Sequence, residues 1–361
     1  MSELVWERAR SFERRWIVAW WVAGRVLVFS TAAVVGTFGP RGFAGYAERT
    51  HPLGVLAAWD GRWYRTVAEN GYLLEPGRQS DPAFFPLFPL LVRAGHALGL
   101  GYSAAGILIS NLAFLVALFL FEALTRELLG AEIAARATSL LAVFPLAFVF
   151  SLAYPESLVL ALMTGAALAA YRGRWWIAAA ALAAATLTRP EAVFVSLALL
   201  PFAWRARSGI ALGAILAPLA AVGSFALYLG LTLHDPFAWT HAERAWGRRF
   251  EPLGLMRAVD HVPSEFAANG AVVRDIVCFA AYLVLLAIAY RRGVPRLWVL
   301  GGVLVVVLPT FSGSFYSIGR FGMLAPAVVW GAALCLRSRA VYAASAALMV
   351  AGVATLPLFF P

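Results

Sequence analysis

Eleven long apolar runs joined by short arginine-bearing loops constrain this 361-residue chain more than any other feature. They lie at about 16–37, 104–125, 135–151, 156–171, 175–187, 191–205, 209–231, 272–290, 296–311, 319–336 and 340–357. A bilayer-crossing helix needs about 20 apolar residues, and only helices or closed barrels satisfy their backbone in lipid. A barrel would alternate apolar and polar residues, which these runs do not. Composition agrees: 62% of residues are hydrophobic and 13% charged, against about 45–50% and about 25% in soluble domains. The 25 Phe, 13 Trp and 11 Tyr exclude a disordered chain. The sequence therefore predicts an all-α, polytopic integral membrane protein, a single membrane-embedded domain over 1–361 without internal repeats. Several runs are short, with Pro155, Pro190 and Pro309 at or near their ends, as in segments that line a cavity.

The net charge of +10 comes from 29 arginines and 19 acidic residues, with no lysine. In a membrane protein such charge collects in cytoplasmic loops and need not indicate nucleic acid. Arg8, Arg10, Arg14 and Arg15 precede the first run; later clusters include Arg126 and Arg136, Arg172 and Arg174, Arg291, Arg292 and Arg296, and Arg337 and Arg339. All fall on one side only if 83–100, with its two prolines and Arg93, stays on the outer surface. That gives about 11 transmembrane helices with the N-terminus inside, in the plasma membrane. Two long loops, about 38–103 and 232–271, then face outward, the first large and carrying interfacial helices. The stretch before the first run lacks the pattern of a cleavable signal. Cys278 and Cys335, both in apolar runs, offer neither a disulfide framework nor a paired metal motif.

Most of the unusual polar residues gather on the outer face. The densest cluster is Trp59-Asp60-Gly61-Arg62-Trp63-Tyr64, continuing to Gly71-Tyr72. Helical spacing puts Trp59 and Trp63 on one face and Asp60 and Tyr64 on the next, which suits an interfacial helix with its indoles in lipid. Asp60 there is either a helix cap favouring the N-terminal dipole or a reactive carboxylate. Arg189 and Arg320 stand at outer ends of spans and Arg25 lies inside the first. A charge at membrane depth costs about 2.5–3.5 kcal/mol unless paired, solvated or snorkelling. Pairing of Arg25 with Glu156 or Asp60 would relieve it; otherwise these guanidiniums suit a phosphate, which arginine binds in two-point fashion. Glu156, after Tyr154-Pro155 in an outer turn, fits either an arginine partner or a ligand for substrate hydroxyls. His241 and Glu243 are loop residues with weaker claims. No zinc-hydrolase, serine-hydrolase or phosphate-loop motif is present.

The order WDGRWY, GY, AFFPLFPLL, YPES, LTRPEAV and SIGRF along the chain resembles the bacterial members of the PIG-V-like mannosyltransferases, of the GT-C superfamily of polytopic glycosyltransferases. The resemblance implies a GT-C-type fold and a polyprenyl-phosphate sugar donor, with mannose transferred to a glycolipid, glycan or protein acceptor outside the cell, with inversion. It implies Asp60 as the catalytic base of the first outer loop. Arg189, Arg320, Arg25 and Arg62 are the corresponding candidates for the donor phosphate. Trp59, Trp63, Tyr64, Tyr72, Tyr154, Glu156 and His241 are the candidates for substrate contacts. No cofactor and no metal are expected, the lipid-linked sugar being a substrate. The alternative reading is a transporter or flippase of lipid-linked sugars, which more often shows two related halves.

Overall fold

The structure, a computed structural model, describes residues 3–39, 51–268 and 270–357. Regular structure among them is helical throughout, as the apolar runs require. The chain starts with α1 (Glu3–Phe38) and, after the outer loop, α2 (Asp60–Asn70) and α3 (Leu87–Ala97). The first half continues with α4 (Tyr102–Leu129), α5 (Ala131–Ala142), α6 (Glu156–Tyr171), α7 (Trp175–Thr188) and α8 (Phe194–Ala206). Then come α9 (Gly209–Leu233), α10 (Ala238–Ala245), α11 (Gly254–Ala268) and α12 (Gly270–Arg291). The last are α13 (Arg296–Val307), α14 (Ile318–Gly322), α15 (Pro326–Cys335) and α16 (Arg339–Thr355).

Four of these helices combine the length and apolarity of a full crossing: 15–38 of α1, then α4, α9 and α12. The shorter apolar segments are α6, α7, α13 with its 3-10 extension to Ser312, α15 and α16. At about 1.5 Å per residue, the 14 residues of α7 reach about 21 Å, short of a hydrocarbon core of about 30 Å. Where eleven spans were expected, several of them short, the described residues hold four helices of full crossing length and a group of shorter apolar ones. The run at 319–336 is broken: α14 stops at Gly322 and α15 restarts with Pro326 at its first position, where proline's missing N–H is harmless. The run at 135–151 likewise ends as α5 at Ala142 and resumes as a 3-10 turn at Ala147–Ser151.

The core runs through α4, α5, α6, α12 and α15. Phe114 stacks on Phe150 with centroids 4.5 Å apart, and Trp298 meets Trp330 edge-on at 5.2 Å. Trp330 is fully buried, and its indole donates to Thr125 Oγ1 at 2.8 Å, which satisfies a polar atom that lipid could not. Gly331 lets α15 lie on the backbone of α12, since a Cβ there would fall 2.1 Å from the Leu285 carbonyl oxygen. Such small-residue contacts are the usual way helices approach closely in a bilayer. The opposite surface is apolar and exposed, as in Leu212, Leu216, Leu219, Leu227 and Leu231 of α9. That stripe, at three- and four-residue spacing, is a lipid-facing surface rather than a soluble one.

The segment 83–100 contains α3, whose 11 residues extend about 16 Å, roughly half a hydrocarbon core. Phe88 and Val92 of α3 pack with Tyr64 and Val67 of α2 and Ala105 of α4, and Arg93 donates to the Ala68 carbonyl at 2.8 Å. A helix so short and so engaged with α2 is expected to keep both its ends on one side. Cysteines introduced at Gln79 and Gly101, in a chain whose Cys278 and Cys335 are replaced by serine, should both react with an impermeant maleimide applied from the same side. Labelling of one alone would refute the shared side.

Candidate active site

A cavity of about 1280 Å³ opens between the first long loop, the α7–α8 turn, the segment 239–250 and the α13–α14 turn. Its wall includes Trp59, Asp60, Arg62, Trp63 and Tyr64 from the first loop and Arg189 and Glu191 from the α7–α8 turn. Glu243, Arg244, Trp246, Arg248 and Arg249 come from α10 and the loop after it; Ser312, Ser314, Ser317, Arg320 and Phe321 close it. An apolar flank of Val193, Phe194, Leu304, Val305 and Leu308 completes the wall.

Local sequence explains how α2 begins. Trp59 precedes the helix with φ at +55°, a conformation rare for a non-glycine residue. It is held there by its indole N–H on the Leu356 carbonyl at 3.2 Å. Tyr154 reinforces the start: its hydroxyl accepts from the Asp60 N–H at 3.2 Å and donates to the Ala58 carbonyl at 3.3 Å. Asp60 is then the first helical residue rather than the cap, and its carboxylate turns to the interior. Asp60 Oδ2 lies 2.6 Å from Arg320 Nη1, and both residues are almost wholly buried.

The pair belongs to a larger network. Arg320 Nε lies 3.6 Å from Glu156 Oε1, which also accepts from Arg189 Nη1 at 2.6 Å. Arg189 grips Glu191 with two further bonds, Nη2 to Oε1 at 2.9 Å and Nε to Oε2 at 3.2 Å. Phe321 lies at the centre, with the guanidiniums of Arg189, Arg320 and Arg248 4.8, 5.4 and 5.6 Å from its ring centroid. Helix ends account for the placement of the charges. Asp60 and Glu156 sit in the first turns of α2 and α6, and Arg189 caps the C-terminal end of α7, each where the helix dipole favours its sign. Asp60 and Glu156 are buried with Arg189 and Arg320, while Glu191 lies at the partly exposed edge of the cluster, on the side of Arg248.

The structure therefore brings together Trp59, Asp60, Arg62, Trp63, Tyr64, Arg189 and Arg320 at the cavity wall. Tyr154 and Glu156 stand behind it, Tyr154 with its ring 5.3 Å from the Arg320 guanidinium. Arg25 is elsewhere: its guanidinium lies 4.6 Å from the Phe114 ring centroid and donates to the Ala147 carbonyl at 3.3 Å. The carboxylates expected to pair with Arg25 are taken by Arg189 and Arg320 instead. Tyr72 donates to the Phe84 carbonyl at 2.7 Å and packs on Phe225, outside the lining. His241 pairs with Asp235 at 2.6 Å, also outside it. The indole of Trp63, expected in lipid, stacks instead on Phe84 and meets Trp246 edge-on at 5.2 Å. Among the described residues no group of three or more His, Cys, Asp or Glu is placed to hold a metal ion.

Sequence reasoning missed Trp246, Phe321 and the arginines of 244–249. Three arginines within six residues of a loop expected to face outward run against the cytoplasmic bias of basic residues, and that anomaly is the signal that would have found them. Trp246 links the two outer loops through its indole N–H on the Ser80 carbonyl at 3.2 Å. Burial raises the carboxyl of Glu243 above its ordinary range, with Arg248 opposing and Glu191 adding to the rise.

Residues 39–212 match the family Mannosyltransferase (PIG-V). That match covers just under half of the chain and makes it similar to the PIG-V mannosyltransferases over those residues, and its long apolar helices are those of a multi-pass membrane protein. No curated protein matches it. Among solved structures it is similar to the Archaeoglobus fulgidus oligosaccharyltransferase in complex with Zn and sulfate, at 12% identity and a TM-score of 0.47, over 91% of this chain and 53% of that one. The same oligosaccharyltransferase tethered to an acceptor peptide gives 12% identity and 0.47 over 96% and 55%. This chain thus spans little more than half the length of those proteins.

Below the cavity rim, Asp81 Oδ1 accepts from the Leu73 N–H at 2.7 Å and fixes the loop after α2. Burial pushes its carboxyl up to about 6, against that hydrogen bond and with Glu75 adding to the rise. The folded loop therefore holds the proton more tightly than the open chain. Its contribution to stability is full below the ordinary value of 3.8 and is lost as pH rises through about 6. Asp81→Asn should remove this step, so that the thermal midpoint of the variant in detergent falls less between pH 4.5 and 7.5 than that of the parent. Equal slopes would refute the assignment.

Proposed function

We propose that the chain transfers a mannosyl residue from a polyprenyl-phosphate donor to an acceptor hydroxyl at the outer surface of the plasma membrane, with Asp60 as general base. The observation that carries this reading is the Asp60 carboxylate in the cavity wall, 2.6 Å from Arg320 and in a wall rich in arginine. A glycolipid, a glycan and a protein all suit the acceptor role in chemical terms, since each offers a hydroxyl.

The arrangement sets the chemistry. Asp60 takes the proton of the acceptor hydroxyl while that oxygen forms a bond to C1 of the sugar. The bond from C1 to the phosphate oxygen breaks, and its electron pair leaves with the polyprenyl phosphate. A single displacement of this kind inverts the anomeric centre. The departing phosphate gains charge, which preorganised cations stabilise. Arg62, Arg189, Arg244, Arg248, Arg249 and Arg320 of the cavity wall are the cations at hand for this task, with Arg189, Arg248 and Arg320 each also held by a carboxylate. Val193, Phe194, Leu304 and Leu308 provide an apolar approach for the prenyl chain.

Purified protein with radiolabelled polyprenyl-phosphate-mannose and a glycolipid acceptor tests the reading. Asp60→Asn keeps the size of the side chain but cannot accept the proton. Transfer should fall by about 10²-fold or more, while donor binding persists. Near-normal transfer by the variant would remove Asp60 from the base role. Movement of donor across a vesicle with no transfer would favour a carrier instead.

A further inference from the structure

Asp275 lies on α12, is 1% exposed, and does not contribute to the cavity wall. An ionisable residue inside an apolar helix bundle is costly unless its partners compensate, and its partners here are specific. Its Oδ2 accepts from the Ser317 N–H at 2.8 Å and its Oδ1 from the Gly319 N–H at 3.0 Å. Arg274 Nη2, on the same helix, lies 3.4 Å from Oδ1. Both amides belong to the turn that opens α14, where Ser317 adopts φ +67°, a left-handed conformation that a serine does not favour. Two turns further along α12, the Tyr282 hydroxyl donates to the Gly319 carbonyl at 2.6 Å. One face of α12 thus holds Gly319 by both its N–H and its C=O.

The glycines of this turn are matched to that grip. A Cβ at Gly319 would lie 2.8 Å from Asp275 Oδ1, and one at Gly322 would lie 2.1 Å from the Tyr282 ring. The residue next to Gly319 is Arg320, whose guanidinium meets Asp60 at 2.6 Å. A fixed peptide on the N-terminal side of Arg320 fixes where its long side chain begins. Charge-assisted bonds to a carboxylate are shorter and stronger than bonds between neutral groups, which suits a turn in an unfavoured conformation.

We propose that Asp275 is a positioning residue: it locks the 317–319 turn so that Arg320 holds the Asp60 carboxylate in its working orientation. This rests on the reading of Asp60 as the base. It predicts a loss in kcat rather than in donor KM, because Asp275 touches no substrate.

The test uses the full chain in detergent or nanodiscs, with polyprenyl-phosphate-mannose as donor, and a double-mutant cycle. Asp275→Asn should lower kcat by about 10- to 100-fold, the scale of a small misplacement of reacting groups, with donor KM unchanged. It should also speed amide exchange at Ser317 and Gly319. In the Arg320→Gln background the same substitution should add no further loss, since the two act in series. A merely structural role would multiply the two losses and overturn the proposal, as would an unchanged kcat in Asp275→Asn. If Arg320→Gln alone leaves kcat intact, Arg320 has no role to be positioned for and the proposal falls. Asp60→Asn decides separately whether the underlying reading stands. Should Asp275→Asn not yield monodisperse protein, Gly319→Ala, which displaces the carboxylate without replacing it, runs through the same cycle with the same expected results.

Discussion

The network of Asp60, Glu156, Arg189 and Arg320, all buried, with Glu191 at its partly exposed edge, is the constraint on which the cavity side of the molecule depends. Removing ions from water costs several kcal/mol each, and mutual attraction offsets this only when geometry and hydrogen bonding are good. Here every ion comes from a different local element: the start of α2, the start of α6, the two sides of the α7–α8 turn, and α14. None of the four buried ions is stable in the interior without the others, so the network fixes the relative position of segments far apart in sequence. It also explains why short helices end where they do. α6 begins and α7 stops at charged residues of the network, and extending either would push a carboxylate or guanidinium out of register.

Around that network the aromatic residues act as spacers and seals. Phe321 keeps three guanidiniums apart while its ring face attracts each of them, an interaction that strengthens as water is excluded. Trp63, Phe84 and Trp246 form a second cluster that binds the two outer loops to each other. The indole of Trp246 and the hydroxyl of Tyr72 each reach a backbone carbonyl of the first loop. The outer loops are therefore ordered by ring packing and by backbone hydrogen bonds, with no disulfide among the described cysteines.

Legibility in the sequence depends on which forces are local. Apolar run length gave α6 its bounds at 156 and 171 and placed α9 and α12 within a few residues. It missed the break at Gly322–Pro326, because an apolar run reads alike whether or not a glycine within it meets a ring on another helix, as Gly322 meets Tyr282. Arg189 and Arg320 stood out because a charge beside an apolar span is anomalous by itself, and Asp60 through the aromatic cluster around it and the family resemblance. Their partners did not, since pairing depends on a fold that joins residues 60 and 320. Arg25 shows the reverse: equally anomalous in sequence, it is accommodated by a phenyl ring and one carbonyl, groups that carry no sequence signal. Asp275 lies within a run that reads only as a span, and its role depends on two amides that no side-chain pattern announces.

The electrostatic layout gives a reason for the order of events on the proposed reading. Asp60, Glu191 and Glu243 share the cavity wall with Arg62, Arg189, Arg244, Arg248, Arg249 and Arg320, so acidic and basic groups are interleaved around it. A lipid phosphate is drawn to the arginines, and a neutral hydroxyl gains from proximity to the Asp60 carboxylate. In-line displacement at C1 requires the leaving phosphate and the attacking oxygen on opposite sides of the sugar. On the proposed reading the arginines further from Asp60 take the phosphate, and Asp60, whose carboxylate Arg320 already holds at 2.6 Å, is left to face the attacking oxygen.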